Sequence, residues 1–367
     1  MITKLARCLQ VVTVAGMAAL TGCSDATPAA SRPDGGSGAG SDSGPAQAGA
    51  GAGSGGAGGQ AGGAAGEAAS DAGSDAGVIT GSGSPRNPWI AFIQVGSNGF
   101  GQLEFVKADG TGLTPVKGAG TEYETDPSWS PDGTQLAFVQ LSSQSGNVLH
   151  ILDFTTGRDR AVTTNLAQLT RPRWAPDGKT LVVAGTASTV PVSALFRVDL
   201  ASGTTEQITQ PVNGDGGHDF APDGTLYFVR HLDAMLFDVF SVPYTAEPKV
   251  AATRVTTDSK VLGGVSVHPS GERIFYAQER GTTTDLIELT LATGKKRVIG
   301  QPGDQEPRSF VAGDKLVLSR ASLDADSEIA VVDENGSLLE RCTTDADFDV
   351  APAVSPLENG EVDLSPF

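Results

Sequence analysis

Apolar residues come in short runs that recur at a nearly fixed interval over the C-terminal three quarters of the chain. The runs are Leu136-Ala137-Phe138-Val139, Leu181-Val182-Val183-Ala184, Leu226-Tyr227-Phe228-Val229, Ile274-Phe275-Tyr276-Ala277 and Leu316-Val317-Leu318-Ser319. Such runs, rich in β-branched and aromatic side chains and bounded by turn residues, predict strands. Trp129-Ser130-Pro131-Asp132-Gly133, Trp174-Ala175-Pro176-Asp177-Gly178 and Phe220-Ala221-Pro222-Asp223-Gly224 precede the first three. Pro presets φ and Asp-Gly supplies the reversal, so each segment predicts a hairpin. Val267-His268-Pro269-Ser270-Gly271 is a looser fourth copy, Phe310-Val311-Ala312-Gly313-Asp314 holds the fifth place, and Val354-Ser355-Pro356 begins a sixth.

Further strands follow in each copy. A third run such as Val148-Leu149-His150-Ile151-Leu152 or Leu286-Ile287-Glu288-Leu289 leads to a second turn, as in Thr155-Thr156-Gly157 and Ala292-Thr293-Gly294. A short fourth run, such as Glu206-Gln207-Ile208-Thr209, closes the unit. The leading positions 129, 174, 220, 267, 310 and 354 are separated by 45, 46, 47, 43 and 44 residues. Four antiparallel strands in roughly 40–50 residues are the unit of a β-propeller blade. The fold class expected is therefore all-β, a six-bladed β-propeller of four-stranded antiparallel blades. Trp89-Ile90-Ala91-Phe92-Ile93 aligns with second strands, since Ile90 stands 46 residues before Leu136. The first unit thus lacks an inner strand, and the chain ends on an orphan one, Ala351-Pro352-Ala353-Val354-Ser355. Docking the last strand onto the first unit completes six blades and removes exposed sheet edges.

The first 86 residues follow another pattern. No aromatic residue occurs before Trp89, and residues 24–86 hold 19 glycines and 16 alanines. Such a segment cannot bury enough apolar surface to offset its ordering entropy and is expected to be a disordered linker. Its root-mean-square span would be roughly 5–6 Å times the square root of its length, about 45 Å. Residues 1–23 pair Lys4 and Arg7 with an apolar run from Cys8 to Leu20, too short to span a bilayer, and end Leu20-Thr21-Gly22-Cys23. They read as a signal peptide. The last four residues resemble the bacterial lipobox, which implies cleavage before Cys23 and acylation of its thiol. More than one acyl chain makes a durable anchor. Ser24 in place of aspartate points, by the same resemblance, to an outer-membrane lipoprotein facing the periplasm or the cell surface. The expected domains are thus 1–23, 24–86 and 87–367.

The formal charge is −18, and −20 without Lys4 and Arg7. An acidic chain repels phosphate backbones, so nucleic acid is not an expected partner. Cys342 stands alone outside the leader and linker. It reads as a small buried side chain. The Trp/Phe-Ser/Ala-Pro-Asp-Gly repeats over residues 89–367 resemble the TolB-type propeller, here without the α/β domain that precedes it in that family. The resemblance implies an envelope protein. A monomer that binds a protein or peptide, at the channel mouth or on a flat face, is the expected state.

Charged residues before or on the inner strands break the sameness of the repeats: Asp126, Arg171, Arg173, His218, Asp219, Glu306 and Arg308. They are candidate binding residues at a channel mouth. The alternative is a solvated rim with ordinary ion pairs. Gly214-Asp215-Gly216-Gly217-His218-Asp219 replaces the proline-containing start of the other repeats. It could admit a ligand close to the backbone, or His218 and Asp219 could do acid–base work with a divalent metal. One His and two Asp fall short of a zinc signature, so neither cofactor nor metal is expected. Asp324-Ala325-Asp326-Ser327-Glu328 and Asp345-Ala346-Asp347-Phe348-Asp349 alternate carboxylates but lack the Gly and terminal Glu of a calcium loop. No Gly-x-Ser-x-Gly elbow, Walker A or His-Glu-x-x-His motif occurs. The expected function is that of a lipid-anchored binding or scaffolding module rather than an enzyme. A structural envelope lipoprotein without a ligand is the further alternative.

Overall fold

A computed structural model describes residues 87–364, apart from 117–122, 142–145, 234, 245–250, 282, 303, 312–313, 322–325, 345–346 and 358–361, with backbone alone at 305–309 and 321. The leader, Cys23 and the linker lie outside the described residues.

The strands fall in chain order as β1 (Trp89–Val95), β2 (Gly101–Lys107) and β3 (Thr114–Pro115), then β4 (Tyr123–Trp129), β5 (Gln135–Leu141), β6 (Val148–Asp153) and β7 (Arg158–Val162). Next come β8 (Gln168–Trp174), β9 (Thr180–Ala187), β10 (Val190–Asp199) and β11 (Thr205–Gln207), followed by β12 (Asp215–Phe220), β13 (Thr225–His231), β14 (Phe237–Pro243) and β15 (Thr253–Arg254). The last are β16 (Val261–Val267), β17 (Arg273–Arg280), β18 (Thr283–Thr290), β19 (Lys295–Ile299), β20 (Gln305–Val311), β21 (Lys315–Ala321), β22 (Ser327–Val332), β23 (Leu338–Arg341) and β24 (Phe348–Val354). The described residues contain no helix.

Strands β4–β7, β8–β11, β12–β15 and β16–β19 each form a four-stranded antiparallel sheet in simple meander order. The remaining strands make one larger sheet in which β24-β1-β2-β3 and β20-β21-β22-β23 are two such units. One parallel bridge, Ser327 to Phe348, joins them. β24 pairs antiparallel with β1, from Phe348 opposite Val95 to Val354 opposite Ile90. It fills the inner-strand place that the first unit lacks. Counted in this way, the described strands make six four-stranded units.

The apolar runs show why the blades stack. In β5, Leu136 and Phe138 pack toward the first blade, whereas Ala137 and Val139 pack toward the third. Alternating side chains of one strand serve opposite faces, and both faces are covered. The same division gives six apolar layers. One of them sets Ile90, Phe92 and Val106 of the first blade against Val317, Ile329 and Val331 of the sixth. The free thiol of Cys342 is buried in that layer, which pushes its pKa up to about 12.

Backbone-directed hydrogen bonds stitch the layers. The Trp174 indole donates to the Ser128 carbonyl at 2.9 Å, and Trp129 donates to Ala353 at 3.0 Å, one blade back in each case. The second bond ties β24 to the second blade. Asn147, Ser193 and Ser327 donate to the carbonyls of Leu169, Asp215 and Asp349, each one blade ahead.

Candidate functional site

Each inner strand carries a bulge against its neighbour at the same level. The register slips between Thr125 and Ser128, Thr170 and Arg173, Gly216 and Asp219, Leu262 and Val265, and Gln305 and Ser309. β24 slips likewise against β1. Bulges re-aim side chains and bend the strand. Left-handed residues sit in them: Asp126 (φ 56°), Arg171 (φ 54°), Gly217 (φ 53°), Gly263 (φ 69°) and Ala351 (φ 58°). The bulges of the second to fifth blades meet through Asp126, Arg171, Gly217 and Gly263.

Five of the sequence candidates lie in or at the edge of these bulges. Asp126 is 1% exposed and accepts a hydrogen bond from the Arg171 amide at 3.3 Å. The Arg171 guanidinium passes Gly217 of the fourth blade and donates to the Gly263 carbonyl of the fifth at 3.2 Å. Arg173 is half-buried and donates to the carbonyl of Pro172 at 2.9 Å. His218 is 1% exposed, with Nε2 3.0 Å from the Val182 carbonyl of the third blade. Asp219 is half-buried and accepts the Val267 amide at 2.8 Å, joining the fourth blade to the fifth. Glu306 and Arg308 belong to β20 by backbone, and their side chains lie outside the described residues.

Electrostatics separates packing from chemistry here. Burial, with smaller contributions from Arg173 and Arg171, lowers the His218 pKa to about 3. The imidazole is therefore neutral, its Nε2–H donating to Val182, and acid–base work at neutral pH finds no support in this geometry. Among the described residues no group of three or more His, Cys, Asp or Glu is placed to hold a metal ion.

The His218 geometry also fixes a pH dependence. Above about pH 6.5 the imidazole is neutral in the folded and unfolded chains, and its contribution to stability is complete. Below that, the unfolded chain takes up a proton that the folded chain refuses until about pH 3, so stability falls as pH falls. At about 1.4 kcal/mol per pH unit, the loss between pH 6.5 and 4.5 is about 2–3 kcal/mol. Urea unfolding at the two pH values is expected to show that loss in the wild type and much less of it in His218→Gln.

The glycines at the crossing are required by space. A Cβ on Gly217 would lie 2.5 Å from the Gly263 carbonyl, 2.7 Å from the Gly264 Cα and 2.8 Å from the Arg171 Nη1, at a left-handed φ. Gly224 has a similar φ of 83° and nothing within 4 Å. Gly217→Ala is expected to cost about 2–4 kcal/mol, and Gly224→Ala only about 1, in chemical denaturation.

Sequence reasoning missed the buried carboxylates that begin several inner strands. Asp215 takes two hydrogen bonds from Arg230, at 2.7 and 2.8 Å. Asp304, just before β20, takes two from Arg320 at 2.8 and 2.6 Å. Glu124 accepts the Leu103 amide at 2.7 Å, and its burial raises its pKa. For the two aspartates the signal was available as an acid followed 15 or 16 residues later by Arg. The strands begin at the end of the ring that also carries the loops between second and third strands, since Asp215 lies opposite Arg230 and Val95 opposite Phe348. At that end Val212, Met235, Leu236 and Phe100 are 84%, 78%, 41% and 42% exposed. The described residues begin at the opposite end, where Asn87 and Asp109 exchange hydrogen bonds at 2.6 and 3.0 Å.

Stacked four-stranded meanders around inner strands define the class as a β-propeller. The sequence matches the TolB beta propeller domain over residues 78–358, and the chain belongs to that family. The uncharacterised peptidase YuxL of Bacillus subtilis is 31% identical over 97 residues, 26% of this chain and 14% of that protein. The Tol-Pal system protein TolB of Alcanivorax borkumensis is 30% identical over 82 residues, 22% of this chain and 19% of that protein. Each match spans less than a fifth of the relative's own length. The crystal structure of TolB from Acinetobacter baumannii has a TM-score of 0.60 at 15% identity, covering 73% of this chain and 66% of that one. At that identity the likeness is one of fold.

Proposed function

We propose that this chain is a lipid-anchored envelope protein whose propeller binds a protein or peptide through its loop end. The observation that carries the reading is the exposure of Val212, Met235 and Leu236 together on the loops of the fourth blade. Asn213 donates to the Leu232 carbonyl, and Asp233 accepts the amides of Met235 and Leu236, so the two loops are held side by side. Exposed apolar side chains so grouped are a feature of interaction sites. Cys23, acylated as its lipobox implies, would supply the anchor, and residues 24–86 the reach. Membership of the TolB propeller family supports an envelope setting and a protein partner.

Asp126, Arg171, His218 and Asp219 set the loop end by fixing how the second to fifth blades meet, with Arg173 beside them. Glu306 and Arg308 are proposed to extend the same charged level into the sixth. The test is recovery of partners from a detergent-solubilised native envelope on immobilised protein. The wild type is expected to retain one protein in stoichiometric amount, and Val212→Asp/Met235→Asp to lose it with an unchanged melting transition. Equal recovery by both would overturn the loop-end assignment.

A further inference from the structure

The turn between the first two strands of the fifth blade differs from the others. Ser130, Ala175 and Ala221 occupy this place in the second, third and fourth blades, and His268 occupies it here. The imidazole lies at the seam with the sixth blade, 6% exposed, against the rings of Phe275 and Phe310. Its Nδ1 accepts the Ser270 amide at 3.1 Å and lies 2.9 Å from the Ser270 hydroxyl. That assigns the proton of the neutral ring to Nε2, which donates to Asp314 of the sixth blade at 2.8 Å. Arg273 Nη2 donates to the same carboxylate oxygen at 2.7 Å and stands 2.9 Å from Nε2. Arg273 also donates to Glu288 at 3.2 Å, and Arg297 donates to Glu288 at 2.8 Å. The charged groups around the imidazole are thus Arg273 of β17, Glu288 of β18 and Asp314 before β21, with Arg297 of β19 behind Glu288.

We infer that His268 is a proton-sensitive latch between the fifth and sixth blades. A second proton must go to Nδ1, the atom that accepts the Ser270 amide. The turn then loses that bond, and a cation is placed against the Arg273 guanidinium. The attraction of Asp314 opposes this but is weakened by solvent, since its side chain is 60% exposed. Burial and Arg273 lower the pKa of the ring, so the latch is closed at neutral pH and opens on acidification. Opening turns the charged ring toward water, which frees the Ser270 amide and gives up the Nε2–H bond to Asp314, while the apolar layer between the blades remains.

The test is hydrogen exchange of residues 268–271 and 314–318 at neutral pH and at about pH 5, corrected for intrinsic rates, with the turns at 131–134 and 176–179 as internal reference. In the wild type, exchange at the seam is expected to rise on the order of tenfold relative to the reference turns. His268→Gln is expected to lose that pH response, and Asp314→Asn to show the faster exchange already at neutral pH. An equal acid response in His268→Gln, or seam and reference turns that respond alike in the wild type, would overturn the latch.

Discussion

Truncation before Asp349 is expected to leave a chain that aggregates or lacks a cooperative unfolding transition. The expectation rests on what β24 covers. The strand contributes the buried Ala351 and Ala353 to the layer between the first and second blades. The Ala353 carbonyl accepts the Trp129 indole, and the Ser355 amide donates to the Trp89 carbonyl. Val362 and Leu364, beyond the strand, pack on the same layer. Without these residues the hydrogen-bonding edge of β1 and the indole of Trp129 are bare at once, and a long apolar edge is a template for association. The measurement is size-exclusion chromatography with a thermal melt. A soluble truncated monomer with the melting transition of the full chain would defeat the closure account.

The second large effect is expected at the sixth blade, where Asp304 is fully buried and Arg320 nearly so. Removing one partner of a buried ion pair strands the other charge away from water. Arg320→Met is therefore expected to cost about 3–5 kcal/mol. The cost arises from desolvation and not from the attraction alone, so the double variant Asp304→Leu/Arg320→Met is expected to recover most of it. Asp304 also accepts the Gln301 amide at 2.9 Å, and Arg320 donates to the Gly336 carbonyl at 3.0 Å. Those two bonds are lost in the double variant and set a limit on its recovery. Denaturation midpoints of the single and double variants check the expectation. A double variant less stable than Arg320→Met would show that the pair stabilises by attraction.

Blade architecture was legible because it is written locally. The Pro-Asp-Gly turns and the apolar runs lie within a few residues of one another, and their spacing exposes the repeat. The placing of β24 could also be read, since β1 lines up with second strands. The site was harder to read. Asp126, Arg171, His218 and Asp219 stand out in sequence as charged residues near inner strands, which suggests a wet mouth. In the structure a bulge turns each strand at that level. Asp126, Arg171 and His218 thereby reach into neighbouring blades and become buried. No local pattern announces a bulge whose left-handed residue is Asp in one blade, Arg in the next and Gly in a third. The exposed group at Val212, Met235 and Leu236 was equally hidden, because it joins two loops more than 20 residues apart. His268 drew notice only as a departure from the turn motif, and its partner Asp314 is one full repeat away.

The loop-end binding claim is tested most directly by site-specific photocrosslinking from position 235 in the producing cell. A crosslinker at Thr156, on the turn end, serves as control. The account predicts one dominant envelope-protein adduct from position 235 and none of the same mass from position 156. The same adduct from both positions, or none from position 235, would contradict it.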